Sequence, residues 1–183
     1  MGINYGLVTS LGSAKNGAGG EYFEAGHNFK VVIEKCEWLT ARDKREYVII
    51  NTQILESDCE TQGEGRKPSY MINMSIDAGE GNLNGFLRVA LTQLAIMSGD
   101  DDIPDPKDDA YWNEALDCSE YKDDAGNITY GTGRAILEAV LAEANVLKGV
   151  ELYLYTKPIL TKEKKPFTIH EWSLEPTAQS LAS

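Results

Sequence analysis

Asn28-Phe29-Lys30-Val31-Val32-Ile33-Glu34-Lys35-Cys36-Glu37-Trp38, a short charged break, then Arg45-Glu46-Tyr47-Val48-Ile49-Ile50-Asn51-Thr52-Gln53-Ile54-Leu55-Glu56: this stretch decides the fold. In its first half Phe29, Val31 and Ile33 alternate with Lys30, Val32 and Glu34. A period of two places successive side chains on opposite faces of a strand. In its second half Val48, Ile50, Thr52 and Ile54 fall on one face, and Arg45, Tyr47, Ile49, Asn51 and Gln53 on the other. One face is therefore buried and the other half wet. Leu39–Lys44 breaks the pattern with Arg42, Asp43 and Lys44, and two strands about a short charged connection form a hairpin.

Reading on from the hairpin, Ser57–Pro68 is polar, carries Gly63 and Gly65, and reads as a loop. Ser69–Ile76 is a third strand whose parity sends Tyr70 inward with Ile72 and Met74. Leu83–Met97 has helical spacing through Phe86, Leu87, Ala90, Leu91 and Leu94, and Gly99 stops it. A second helix is expected over Gly133–Leu147, a fourth strand over Val150–Lys157 and a fifth over Pro166–Trp172, with Trp172 assignable to neither face. Toward the start, Met1–Gly26 is rich in Gly, Ser and Asn and reads as an arm, with a weak strand at Gly6–Ser10. Leu174–Ser183 is a short tail.

Three consecutive antiparallel strands, a helical crossing and a final hairpin predict a mainly β fold with helices. The expected form is a five-stranded OB-type Greek-key barrel over residues 27–173, with a helical, acidic insertion at 99–132 between strands 3 and 4. The chain's 183 residues suit one such domain. No apolar run reaches the ~18 residues of a membrane span, and Met1–Ser10 has no leader pattern, so the expected location is the cytoplasm. Cys36, Cys59 and Cys118 are too widely spaced for a metal clip, and His27 and His170 have no ligand at motif spacing. Neither a catalytic constellation nor a cofactor motif is present; Gly63–Ser69 has some residues of a phosphate loop without its spacing.

The formal net charge is −12, but the acidity is local. Residues 99–124 hold 11 Asp/Glu and 2 Lys, a net of −9, which leaves −3 for all the rest. Pro104 and Pro106 break this segment, and Tyr111 and Trp112 sit within it; its spacing does not match a calcium loop. It is either a solvated linker or an element that competes for a basic groove or recruits partners.

OB barrels bind oligonucleotides with the face of strands 2–3 and the loops joining strands 1–2 and 4–5. Those two loops are basic here: Thr40-Ala41-Arg42-Asp43-Lys44-Arg45 and Thr161-Lys162-Glu163-Lys164-Lys165. They hold six of the 17 Lys and Arg in 11 positions. Trp38 and Tyr47 flank the first, and Tyr153, Tyr155 and Phe167 the second, while Lys30, Arg66, Lys67 and Lys157 extend the cationic set. Cations that follow a backbone and rings that stack on bases are the ingredients of single-strand binding. The two bends are expected to meet over one trough.

The strand Phe29-Lys30-Val31-Val32-Ile33, the run Tyr47-Val48-Ile49-Ile50 to Ile54-Leu55-Glu56-Ser57, Pro68-Ser69-Tyr70, the helix Asn84-Gly85-Phe86-Leu87 and the closing Pro166-Phe167-Thr168-Ile169-His170-Glu171-Trp172 together resemble bacteriophage OB-fold single-stranded-DNA-binding proteins. The pattern is diffuse and covers about residues 26–99 and 146–173. The resemblance implies a non-enzymatic protein of phage DNA replication or recombination that coats single strands in the bacterial host's cytoplasm, together with phage or host replication and recombination proteins. Such proteins often end in an acidic tail. This chain has no acid after Glu175, so the 99–124 segment is expected to do that work. Exposed barrel edges also admit a homodimer. The rival readings are an OB-fold protein-interaction module without nucleic acid, and a nuclease using the acidic insert around a metal.

Overall fold

The computed structural model describes residues 21–177. Its elements are β1 (Glu21–Tyr22), β2 (Asn28–Thr40), β3 (Glu46–Ser57), β4 (Pro68–Asn73), α1 (Ala78–Ser98), α2 (Asp109–Ala115), β5 (Glu120–Lys122), β6 (Ile128–Tyr130), α3 (Thr132–Leu141), β7 (Glu151–Leu160) and β8 (Pro166–Ser173). The strand expected at Gly6–Ser10 lies outside the described residues. The protein is mainly β: one strongly curled, half-barrel sheet in the order β1-β4-β3-β2-β7-β8, a small β5-β6 hairpin, and three helices. No described helix is long and apolar enough to cross a membrane.

The alternation read in the opening stretch is the alternation of burial. Phe29, Val31 and Ile33 of β2 and Val48, Ile50, Thr52 and Ile54 of β3 are buried in one core with Tyr70, Ile72, Leu152 and Leu154. A register shift at Lys30/Val31 puts an extra residue, Leu55, into β3, and a second at Ile33/Lys35 puts one into β2 and changes its parity, so Cys36 and Trp38 also point inward. Bulges of this kind bend a strand and sharpen its twist.

β2 carries the sheet. It pairs with β3 along its whole length but with β7 only from Asn28 to Val32. Beyond Val32 its second edge runs inside the protein, where an unpaired backbone group is costly. The turn before β7 first covers Ile33, whose N–H bonds Val150 O at 2.9 Å and whose carbonyl accepts from Gly149 N at 2.8 Å. Buried Asn145 then acts as a surrogate strand: its Oδ1 accepts from Cys36 N at 2.9 Å, and its Nδ2 donates to Cys36 O at 2.7 Å. This shortens α3. The apolar stripe predicts a helix to Leu147, but the chain turns extended at Ala142 and places Asn145 in the left-handed region, φ 47°.

Toward the two margins, β4 (flanked beyond only by the two-residue β1) and β8 each run parallel to β2 and so to each other, yet they form no ladder. Rings bridge them instead. Tyr70 stacks on His170 at 4.2 Å between centroids and meets Trp172 at 5.8 Å; Trp172 in turn meets Phe86 of α1 at 5.2 Å. Trp172 thus belongs to the core side. Phe23 follows β1, which pairs in parallel with β4, and its ring touches Phe29 and His170. Residues 21–26, read as part of a loose arm, are therefore docked into the gap between the margins.

The acidic segment is fastened to the body. Trp112 of α2 is buried and donates from Nε1 to Asp105 O at 2.8 Å. Thr92 of α1 donates to Pro104 O at 3.0 Å, and Arg88 binds Asp109 and Asn113. Helix α1 begins five residues before its expected start. Gly79 permits this, since a Cβ there would stand 2.2 Å from Asn73 O.

Asn145→Ala leaves both Cys36 backbone groups buried without partners, so it should cost about 2–4 kcal/mol in urea unfolding, while Ala144→Ser at the exposed neighbour stays within about 0.5 kcal/mol. Burial pushes the His170 imidazole down from 6.5 to about 4. The unfolded chain takes up that proton below about pH 6.5 and the folded one only near pH 4. Stability is therefore unaffected above the first value and should fall between the two, by on the order of 2–3 kcal/mol. His170→Phe keeps a ring against Tyr70 and should flatten that part of the stability–pH curve.

Candidate nucleic-acid interface

The two basic bends have the same shape. Ala41 N bonds Arg45 O at 2.8 Å and Lys44 N bonds Ala41 O at 2.9 Å; Thr161 N bonds Lys165 O at 2.9 Å and Lys164 N bonds Thr161 O at 2.8 Å. The residue that reverses the chain is lysine in the left-handed region both times, Lys44 at φ 66° and Lys164 at φ 59°. Glycine is the usual occupant of that conformation. The charge order is also shared: a cation, an acid, the left-handed lysine and a second cation. In each turn the acid binds the last cation, Asp43 to Arg45 at 2.5 Å and Glu163 to Lys165 at 2.7 Å. Hydrogen bonds from the Arg45 backbone and guanidinium hold the Asp43 carboxyl below the usual carboxylate range. Arg42, Lys44, Lys162 and Lys164 are exposed and make no ion pair with a described residue.

The turns do not lie side by side, as a shared trough requires. β2 climbs from Asn28 to Thr40, where the first turn begins. β7 is antiparallel to it; Tyr155 sits opposite Asn28, and the strand then runs five residues further in the other direction to Leu160 and the second turn. The bends stand at opposite ends of the sheet. What joins them is the outward face. Tyr153 and Tyr155 of β7 alternate with buried Leu152, Leu154 and Thr156, and so point outward and are half-buried. Lys30 lies opposite Tyr153, its Nζ 5.9 Å from the ring centroid, and Tyr47 opens the same face of β3 beside the first turn. Next to Lys30 a cavity of about 300 Å³ is lined by Asn28, Glu56, Tyr153, Pro176 and Thr177.

Other expected contacts are placed differently. Trp38 is 6% exposed and sits in the core cluster, so its ring cannot stack on a base; the bulge that reverses parity in β2 turned it inward. Arg66 binds Glu21 at 2.6 Å, Lys67 binds Glu34 at 2.6 Å and Lys157 lies 3.6 Å from Glu171. Lys30 is held by Glu151 at 3.2 Å and Glu56 at 3.9 Å; the Glu151 hydrogen bond raises its pKa against the opposing effect of burial. Phe167 is 53% exposed and lies opposite Ile159 on the outward face, with Ile169 two residues on. Ile159 and Ile169 were not among the expected contacts. The odd parity of Tyr153, Tyr155 and Lys157 continues to Ile159, because β7 runs three residues past the expected end at Lys157, through Pro158 to Leu160.

No protein-family model matches the sequence, and no curated protein matches it at a significant level.

Lysine in the left-handed region carries a backbone cost that glycine avoids. Lys44→Gly and Lys164→Gly should each raise unfolding stability by about 0.5–1 kcal/mol in urea titrations. A loss of stability in either variant would show that contacts, not charge, keep the lysine there.

Proposed function

We propose that this protein binds single-stranded DNA without reading its sequence, in phage DNA replication or recombination. The strand would lie across the outward face of the sheet, from one basic turn to the other. The observation that carries this reading is the twin turns: two bends of one backbone shape, at opposite ends of one face, each with two cations that pair with no described carboxylate and a lysine where glycine would sit more easily. The OB-type barrel is the matching fold proposal. It is supported by the order β4-β3-β2-β7-β8 and by margins that run parallel across an aromatic seam.

The division of labour follows from the ion pairs. Lys30, Arg66, Lys67 and Lys157 already face carboxylates, so a phosphate that approaches them must displace a partner. Arg42, Lys44, Lys162 and Lys164 need not give one up, and they supply the counterion-releasing contacts. Between them Tyr47, Tyr153, Tyr155 and Phe167 offer ring faces, and stacking tolerates any base. Glu56, Glu151 and Glu171 on the same face keep the middle of the path weakly anionic, which leaves affinity dependent on the two ends.

Fluorescence anisotropy with a labelled dT oligonucleotide, titrated over salt, tests the reading. Wild type should bind, with affinity falling steeply as salt rises, and should bind a duplex of equal length less well. Arg42→Glu with Lys44→Glu, and Lys162→Glu with Lys164→Glu, should each weaken binding at least tenfold. Each pair should also reduce the log–log salt slope by about 1–1.5, the share of two single-strand phosphate contacts. Equal binding by both reversed turns would place DNA elsewhere. Failure of wild type to bind any oligonucleotide at low salt would leave the protein-interaction reading.

A further inference from the structure

From the side chains around the start of β2 we infer a second site: a divalent transition-metal site of the zinc class, formed by Cys59, His27 and Glu24. One donor atom from each of these residues lies within 4.8 Å of the others. Cys59 Sγ is 3.6 Å from Glu24 Oε2. Sulfur, nitrogen and oxygen donors around one tetrahedral zinc, at its usual bond lengths of about 2.0–2.3 Å, stand roughly 3.3–3.7 Å apart. The Cys–Glu pair already has that spacing, and a His27 ring nitrogen lies within 4.8 Å of both. A thiolate, an imidazole and a carboxylate together form a donor set of borderline softness, which suits zinc and not calcium or magnesium.

The two segments that supply these donors are fixed by groups that do not themselves bind metal. Glu24 and His27 flank the turn into β2, where Gly26 has φ 91°. Fully buried Thr156 of β7 clamps that turn: its hydroxyl donates to Glu24 O at 2.6 Å, and its N–H bonds His27 O at 3.0 Å. Cys59 lies in the loop after β3, and buried Gln62 ties that loop to the same turn by accepting from Glu24 N at 2.8 Å and donating to Tyr22 O at 2.6 Å. Asp58 accepts from His27 Nδ1 at 3.2 Å, the carboxylate–histidine pairing that orients a metal-binding ring and leaves Nε2 as the donor nitrogen. Preorganisation of this kind separates the group from a chance meeting of exposed acids. Sequence spacing hid it, because the ligands come from segments 32 or more residues apart in the chain, with only the Glu24-x-x-His27 pair local.

When the metal enters, the Cys59 thiol loses its proton to solvent and the sulfur takes the metal. Thiolate, Glu24 carboxylate and a divalent ion sum to zero charge, so the metal neutralises its own ligands and leaves the Asp58 carboxylate, held by the His27 ring, as the one remaining charge of the group. The fourth position is open to water. The metal would lock the residue 23–27 turn onto the β3–β4 loop, beside the gap that β1 and Phe23 fill between the sheet's margins.

Cobalt(II) titration of the chelator-treated full chain tests this inference. One equivalent should produce the thiolate-to-cobalt charge-transfer absorption and the visible bands of a tetrahedral centre, and zinc should displace both. Cys59→Ser and His27→Ala should abolish the charge-transfer band, Glu24→Gln should weaken cobalt binding at least tenfold, and Cys118→Ser should leave the band intact. Far-ultraviolet circular dichroism of each variant without metal separates loss of the site from loss of the fold. Zinc should raise the melting temperature of wild type and Cys118→Ser but not of folded Cys59→Ser. No charge-transfer band in wild type, or a band that survives Cys59→Ser, would overturn the proposal.

Discussion

The whole sheet depends on the second edge of β2. A thirteen-residue strand with a polar outer face and a buried inner face can pair with β3 along its full length, but it can pair with β7 only while the sheet stays flat enough for both. After Val32 the sheet curls away, and the cost of an unpaired buried edge is avoided first by the Gly149–Val150 backbone and then by one side chain, Asn145. The curl then lets β4 and β8 approach at the far side, where Tyr70, His170 and Trp172 replace a hydrogen-bonded ladder. The same curl leaves an outward face that is unbroken from the β2–β3 turn to the β7–β8 turn.

The strands were legible because burial on one face writes a period of two into the sequence, and the inward parity of Tyr70 followed from it. Other features follow from groups that meet only in three dimensions. Trp38 looks like a rim residue beside a basic bend, but a bulge with no sequence signature reverses its parity. Asn145 lies inside a good helical stripe, and its work is set by a strand 109 residues away. Gly79 lies ahead of the expected helix start at Leu83, yet it is in the first turn of α1, where its missing Cβ lets the helix pass Asn73 O. In the candidate site, the basic turns were legible as charge, and their shared left-handed lysine was not. That both turns sit on one face follows from strand parity, but that they sit at opposite ends follows only from the register of β2 with β7.

Charge is distributed in the same way at two scales. Across the chain, a body of net −3 carries an insert of net −9, and Trp112, Pro104 and the Arg88 contacts hold that insert against α1 and give it an ordered place. Within the sheet, most cations of the outward face have a carboxylate partner, while the turns keep four without one among the described residues. An anionic protein can attract a polyanion only where cations outnumber the acids beside them, as three to one in each turn, because screening confines the field to about 10 Å at 0.1 M salt. The ends of the sheet meet that condition.

The central claim is that one nucleic-acid strand occupies both turns and the face between them. Lysine acetylation footprinting, read residue by residue by mass spectrometry with and without saturating dT oligonucleotide, tests it directly. The account predicts that an oligonucleotide long enough to cross the sheet shields Lys44, Lys162 and Lys164 together and Lys30 in part, while Lys107 and Lys148 react as before. Protection at one turn alone with every oligonucleotide length, or at Lys107 and Lys148 in place of the turns, would contradict it.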